Sequence, residues 1–388
     1  MKHIGVVANH KTVNYGTMLQ AYAMQEALEK LGYQAETIDL SGVETDIRRK
    51  KLAFFLSQTP VTSFLKEKIP YADKKLRKLL DRDFRDRCAV REKLFSDFRG
   101  RHFSMSGQCA NRMSLTEAAE KYDMVLVGSD QIWLPSNIAA DIFTLSFVPD
   151  KIKKVAYASS FGVSSLPKSQ WNAAGTFLNR IDYVSVRERS GQRIAEETAG
   201  RQVPVVCDPT LLFTAEQWDN MVPKKHIAEG PYILCYFLGN NQDQRSFVSE
   251  ARKITGLKIV SLLHMDGYIK SDNHFADIAP FDIGPDEFIN LIRFADFIFT
   301  DSFHGTVFSI LNRKSVFTFD RYKRDAAVST NTRIDNLFEL PGLSDRHINA
   351  ADNPKICVDT PVDYSSALAD IALLRKSSWT YLTRALEG

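Results

Sequence analysis

The sequence predicts an α/β fold of two βα domains facing one cleft, and three observations carry that prediction. A chain of 388 residues is too long for one ordinary core and fits two domains. Its opening reads as strand, loop, helix and strand, the start of a βαβ unit and a parallel sheet. A second series of apolar runs begins at Tyr232, after a polar stretch that holds Pro223, Lys224, Lys225 and Gly230. The expected boundaries are a first domain over 1–213, a linker over 214–230 and a second domain over 231–388 that ends in a helix.

In the first domain, Ile4–Ala8 is a short apolar run and Asn9–Gly16 a polar loop. Thr17–Leu31 follows as a helix, with Ala21, Met24, Leu28 and Leu31 on one face and Gly32 placed as a C-terminal cap. Gln34–Leu40 is the next expected strand. From about 46 to 101 the chain turns dense in Lys and Arg with recurring Phe and Leu. This predicts a helical insertion, with a helix over Ala72–Phe98. An Asp81-Arg82-Asp83 triplet sits there in an alternating-charge run, which favours a solvated face over a metal-holding DxD motif. Strands are expected again at Asp123–Gly128, Lys154–Ser159, Ile181–Val186 and Pro204–Val206. In the second domain they fall at Tyr232–Phe237, Leu257–Leu263, Phe297–Thr300 and Ser315–Phe319. Helices are expected at Pro285–Phe294, from Gly305 to Leu311, and over Tyr364–Leu386.

Bulk properties narrow the function. The chain is 44% apolar and 25% charged, as in a soluble globular protein. A net charge of +3 argues against a dedicated nucleic-acid binder. The apolar stretch after Lys2 is too short for a signal peptide, and no window approaches a transmembrane span. Five widely spaced cysteines without a CxxC pair fit reduced, buried thiols of a cytoplasmic protein.

In open α/β sheets ligands bind at the carboxyl ends of strands, so chemistry is sought in the loops that follow them. The strongest signal is Thr300-Asp301-Ser302-Phe303-His304-Gly305, where a buried strand ends and a helix begins. Free N–H groups at that helix terminus favour an anion, Gly305 allows close backbone approach, and His304 suits a general acid. A histidine capping its own helix is the plainer alternative. Asn9–Gly16 is a second polar loop, with Asn14 and Gly16. No GxGxxG or Walker A sequence occurs, so neither a dinucleotide nor an ATP site is supported. Arg187 lies just past an expected strand end, placed either to grip a carboxylate or phosphate or to make a structural ion pair. Asp130 could accept a hydrogen bond from a sugar hydroxyl and Trp133 could stack on a sugar face. Ser160 belongs to another polar strand end.

Together these segments resemble the polysaccharide pyruvyl transferase family. The matching pieces run in family order from residue 14 to about 343: NYGTMLQAYAMQEALEKLGY, GSDQIW, YASSFG, SVRERSG, DPTLLF, FADFIFTDSFHGTVFSILNRKSVF and NTRIDNLFELPGL. The resemblance implies two Rossmann-like domains arranged as in the GT-B glycosyltransferases, the first on the acceptor side. It also implies phosphoenolpyruvate as donor substrate, no cofactor, no metal, and a cyclic ketal formed across two sugar hydroxyls. The family's acid histidine matches His304 and its donor-binding arginine matches Arg187. Some members carry an arginine two residues before the histidine, where this chain has Ser302; Arg321, Lys323, Arg324 and Arg333 are the candidates to replace that charge. The expected donor set is therefore Arg187, Ser302, Gly305, Arg321 and Arg333. The expected acceptor set is Asn14, Gly16, Asp130, Trp133 and Ser160. A lipid-linked acceptor would bring this cytoplasmic enzyme to the inner face of the membrane, and Lys66, Lys68, Lys74, Lys75, Arg77 and Lys78 form a basic cluster in the insertion, for which a solvated helix face is the plainer reading because Asp81, Asp83 and Asp86 follow. Two alternatives remain: a GT-B glycosyltransferase, which needs contacts to a nucleotide, and a non-catalytic saccharide-binding protein, which needs no acid histidine.

Overall fold

The computed structural model describes residues 2–58, 74–264, 269–272, 274–321, 332–340 and 342–388. Two five-stranded parallel sheets form the framework. The first contains β1 (His3–Val7), β2 (Gln34–Thr37), β3 (Met124–Val127), β4 (Lys153–Ser159) and β5 (Tyr183–Val186), in the order β2-β1-β3-β4-β5. The second contains β6 (Tyr232–Tyr236), β7 (Lys258–Ser261), β8 (Phe297–Thr300), β9 (Ser315–Phe319) and β10 (His347–Ile348), in the order β10-β9-β8-β6-β7. The two orders are the same topology traversed twice. Each sheet has its switch point between the first and third strand of its own domain, where loops diverge and leave a crevice. Central strands such as Met124-Val125-Leu126-Val127 are buried on both faces, which is why they read as unbroken apolar runs.

Five helices position the site: α1 (Tyr15–Lys30), α2 (Arg82–His102), α3 (Pro285–Phe294), α4 (Phe303–Leu311) and α5 (Ser365–Glu387). Asn14 caps α1 by accepting from the Thr17 N–H at 3.1 Å. Helix α1 is buried over nearly its whole length, because one apolar core spans both domains. Tyr15 stacks on Phe288 of α3 at 4.6 Å between centroids, and its hydroxyl donates to the Ile283 carbonyl at 3.1 Å. Arg91 of α2 donates to the carbonyls of Leu263, Pro280 and Phe281 and so fastens the insertion to the second domain.

Several expectations need correction. The helix expected over Ala72–Phe98 is broken at Asp81, whose carboxylate accepts from the Phe84 N–H at 3.0 Å and starts α2. Asp83 pairs with Arg87 one turn on, so the acidic triplet serves the helix itself. Pro204–Val206 forms only an isolated bridge between Val186 and Val205. The stretch 214–230 is no bare tether: it contains the capped helix Ala215–Met221, and Trp218 packs on Phe308 of α4. Helix α5, read as part of the second domain, returns to the first. Ser378 accepts from the Cys207 N–H, while Arg375 and Trp379 donate to the carbonyls of Leu211 and Leu212. Its apolar face is thus covered by the first sheet's loops, a long-range pairing that periodicity does not report. All five cysteines are unpaired and buried.

Candidate active site

The loop after β8 is built around Asp301. Its carboxylate accepts from the N–H groups of Leu238 and Gly239, at 2.7 Å each, and so holds the loop after β6. Ser302 caps α4 by accepting from the Gly305 N–H at 3.3 Å. A Cβ on Gly305 would lie 2.9 Å from Thr300 Oγ1, so this glycine is required by the tight turn itself. His304 then falls in the first turn of α4, 5% exposed, and its ring lies against Gly16 of α1. A Cβ on Gly16 would overlap the imidazole at Nδ1 and Cγ. Gly16, expected to bind acceptor, is the gap that seats the histidine.

The opposite wall comes from the first domain. The bridge between Val186 and Val205 brings Asp208 beside Arg187. Asp208 Oδ1 accepts from the Thr210 N–H at 3.0 Å and from its hydroxyl at 2.7 Å, which fixes the carboxylate's orientation. Oδ2 accepts from Arg187 Nη1 and faces His304 Nε2 at 3.5 Å. One buried carboxylate therefore joins an arginine of the first domain to a histidine of the second. Burial alone would raise the Asp208 carboxyl, but the charges of His304 and Arg187 outweigh it and hold it well below the ordinary range. Burial works against the Arg187 charge as well, and Asp208, Asp130 and Glu188 overcome it. The guanidinium also lies 4.9 Å from the Phe303 ring centroid, over its face.

Several buried donors remain unmatched. Among the described residues, Arg187 Nε and Nη2 and His304 Nε2 have no hydrogen-bond partner. Buried N–H groups are nearly always satisfied, so this set fits a multiply charged anion. Asp130 stands next to it, 3.8 Å from Arg187 Nη2, and accepts from the Thr17 hydroxyl at 2.7 Å. Its φ of 72° is left-handed, an uncommon state for a side-chain-bearing residue and one that marks functional loops.

Other expected site residues lie elsewhere. Trp133 is fully buried between Phe161 and Phe177, with its indole N–H on the Phe143 carbonyl, so it has no face for a sugar. Ser160 is buried and accepts from the Gly162 N–H. The Asn14 side-chain carbonyl is engaged in capping α1. Arg321 donates to the Asp301 carbonyl at 3.1 Å and braces the same loop, with Nε 3.8 Å from the Asp301 carboxylate. Arg333 lies on the helix Thr332–Phe338, its side chain outside the described set, and Lys323 and Arg324 lie outside the described residues. Asp208 opens the DPTLLF piece but was given no role, because an acid directly before Pro209 also reads as a simple cap. Asp320, Asp335 and His347 bring three ligand-type atoms within 4.8 Å of one another, with His347 Nε2 2.8 Å from Asp320.

Two topologically equivalent α/β domains with reactive side chains between them define a GT-B-like architecture. A UDP-GlcNAc 2-epimerase from Neisseria meningitidis, solved bound to UDP-GlcNAc, aligns over 100% of this chain and 99% of its own, with a TM-score of 0.51 and 12% identity. A UDP-GlcNAc 2-epimerase from Methanocaldococcus jannaschii aligns over 97% and 100%, with a TM-score of 0.49 and 13% identity. The first of these likenesses concerns the fold alone. No curated protein matches the chain in sequence. The family model described as polysaccharide pyruvyl transferase matches residues 14–322, and the chain belongs to that family. It is an enzyme that transfers the pyruvyl group of phosphoenolpyruvate to a sugar, and phosphoenolpyruvate enters as substrate, not as a bound cofactor.

Proposed function

We propose that His304 is the proton donor, Arg187 the donor anchor and Asp208 the group that positions both. The observation that carries this reading is the shared Oδ2 of Asp208, with unmatched donors of Arg187 and His304 around it. Nε2 is the ring nitrogen that faces Asp208, and in this scheme it carries the proton that is transferred. In this scheme Arg187 holds the carboxylate or phosphate of phosphoenolpyruvate, and His304 protonates its methylene carbon. The resulting cationic C2 takes the oxygen of a sugar hydroxyl, which loses its proton. The C2–O bond to phosphate then breaks, and a second hydroxyl adds to C2 and loses its proton, closing a cyclic ketal. Orientation and fixed charge supply the catalysis.

The test is incubation with phosphoenolpyruvate and a panel of sugar acceptors, following phosphate release. Phosphoenolpyruvate should also raise the melting temperature, since it binds only the native state. UDP, GDP and CMP sugars at the same concentration should not. Stabilisation by a nucleotide sugar alone would favour a glycosyltransferase.

A lipid-linked acceptor is part of the same proposal, with the enzyme working in the cytoplasm at the inner face of the membrane. Residues 74–80 support it: they are helical, place Leu79 at 80% and Leu80 at 78% exposure, and interleave Lys74, Lys75, Arg77 and Lys78. Exposed apolar side chains among cations suit an anionic bilayer surface. Lys66 and Lys68 lie outside the described residues. No described helix is long and apolar enough to cross a membrane.

A further inference from the structure

Three metal-ligating side chains that belong to no part of the reaction centre converge in the second domain from three separate elements. Asp320 directly follows β9, His347 opens β10, and Asp335 lies on the helix Thr332–Phe338. The parallel pairing of β9 with β10 sets His347 beside Thr318, close to Asp320 in the chain. One ligand atom from each of the three lies within 4.8 Å of the other two. The imidazole is held in a fixed orientation. Phe338 stacks on its ring at 5.0 Å between centroids and 14° between planes, and Nε2 lies 2.8 Å from Asp320 Oδ1. Asp320 is fixed in turn through its backbone carbonyl, which accepts from Gln244 Nε2 at 2.9 Å. The His347 side chain is 12% exposed and that of Asp320 24%, whereas Asp335 is exposed, so the cluster has a covered side and an open one.

We propose that Asp320, Asp335 and His347 bind one divalent transition-metal ion, with zinc the best match, as a structural tie within the second domain. The ion takes no part in pyruvyl transfer. Spacing carries the proposal. Two ligands on one ion, with bonds of about 2.0–2.2 Å, lie about 3.0–3.4 Å apart at octahedral or tetrahedral angles. His347 Nε2 and Asp320 Oδ1 stand close to that separation already. The third atom belongs to an exposed side chain, which a change of rotamer brings in. The donor set selects the ion. One imidazole nitrogen with two carboxylate oxygens suits zinc and its neighbours, whereas calcium and magnesium call for shells of oxygen. The open side at Asp335 gives the ion an entry path and leaves room for water as the fourth ligand. On binding, the proton held between His347 and Asp320 leaves for Nδ1 or for solvent, and the ion takes its place. The tie joins positions 320, 335 and 347, so it closes two short loops of chain and adds to the stability of the folded domain.

The experiment is calorimetry on the untagged full chain, stripped with EDTA and desalted, then titrated with zinc chloride and separately with magnesium chloride. The wild type should take up one equivalent of zinc at micromolar affinity or tighter, and saturating zinc should raise its melting temperature. Asp335→Asn alters an exposed side chain of the same shape, so the variant should fold, as circular dichroism checks. It should bind zinc more weakly by more than about a hundredfold, beyond what loss of an outer-shell partner costs. His347→Gln should do the same and should lose the zinc-dependent rise in melting temperature. No zinc uptake by the wild type makes the three residues an ordinary hydrogen-bonded cluster and overturns the proposal. Uptake that Asp335→Asn leaves intact also overturns it, because the ion then sits on other ligands such as the unpaired cysteines. Magnesium bound more tightly than zinc overturns it as well.

Discussion

At the scale of single residues, His304→Ala should lower turnover by about two to four orders of magnitude, the usual range for a general acid. The fold should persist, checked by circular dichroism; near-normal phosphate release would remove His304 from the mechanism. Gly16→Ala is the sharper test of the geometry, because the added methyl collides with the imidazole. Turnover should drop with phosphoenolpyruvate affinity largely kept, and a variant with normal turnover would refute the seating role. Arg187→Ala should weaken donor binding by about 2–5 kcal/mol if the pair is desolvated, and calorimetry showing normal affinity would make it a purely structural ion pair. His304 and Arg187 were legible because each stands at the end of a buried strand, in a motif with an anion-binding logic. Asp208 was not, because its importance lies in a contact between residues 208 and 304 that local pattern cannot express. Trp133 misled for the opposite reason: an aromatic beside a polar loop looks the same whether its face is open or covered by Phe161 and Phe177.

Secondary-structure elements were easier to read than their partners. Strands of four or five apolar residues between turn signals were found close to their observed positions, since burial on both faces leaves a continuous signature. The two-residue β10 carries too little pattern to be found. The break before α2 was masked by the even charge of the insertion, although a lone Asp cap was enough to make it. The segment 74–80 gives this scale its prediction. The full chain should sediment with anionic vesicles at low salt and be released at high salt. Replacing Leu79 and Leu80 by Ser should reduce that binding without changing phosphate release on a soluble acceptor. Absence of wild-type binding at low salt defeats the membrane reading.

For the molecule as a whole, acid stability should report the interdomain cluster. Asp208 is held low in the folded chain, whereas an unfolded Asp titrates near about 3.9. The unfolded state therefore binds that proton first as the pH falls. The contribution of this carboxylate is complete above roughly pH 4 and is lost as pH drops toward the folded value. Asp208→Asn should cost about 3 kcal/mol at neutral pH, since it removes the nearest of the three carboxylates that compensate buried Arg187. Its unfolding free energy should also fall less steeply in acid than the wild type's, as read by chemical denaturation at each pH. An unchanged acid slope would place the titration elsewhere. The repeated topology bears on this too: Asp130 follows β3 and His304 follows β8, equivalent strands of equivalent sheets, and both side chains face the Arg187–Asp208 pair.

The return of α5 to the first domain has a consequence for how the enzyme comes into being. Cys207, next to the positioning Asp208, gives its N–H to Ser378, a residue made 171 positions later. During synthesis the arginine and the carboxylate leave the ribosome well before the histidine that faces them. The helix that braces their loop emerges later still. A nascent chain thus carries an unbraced Asp208 loop until the segment that holds Ser378 has been made.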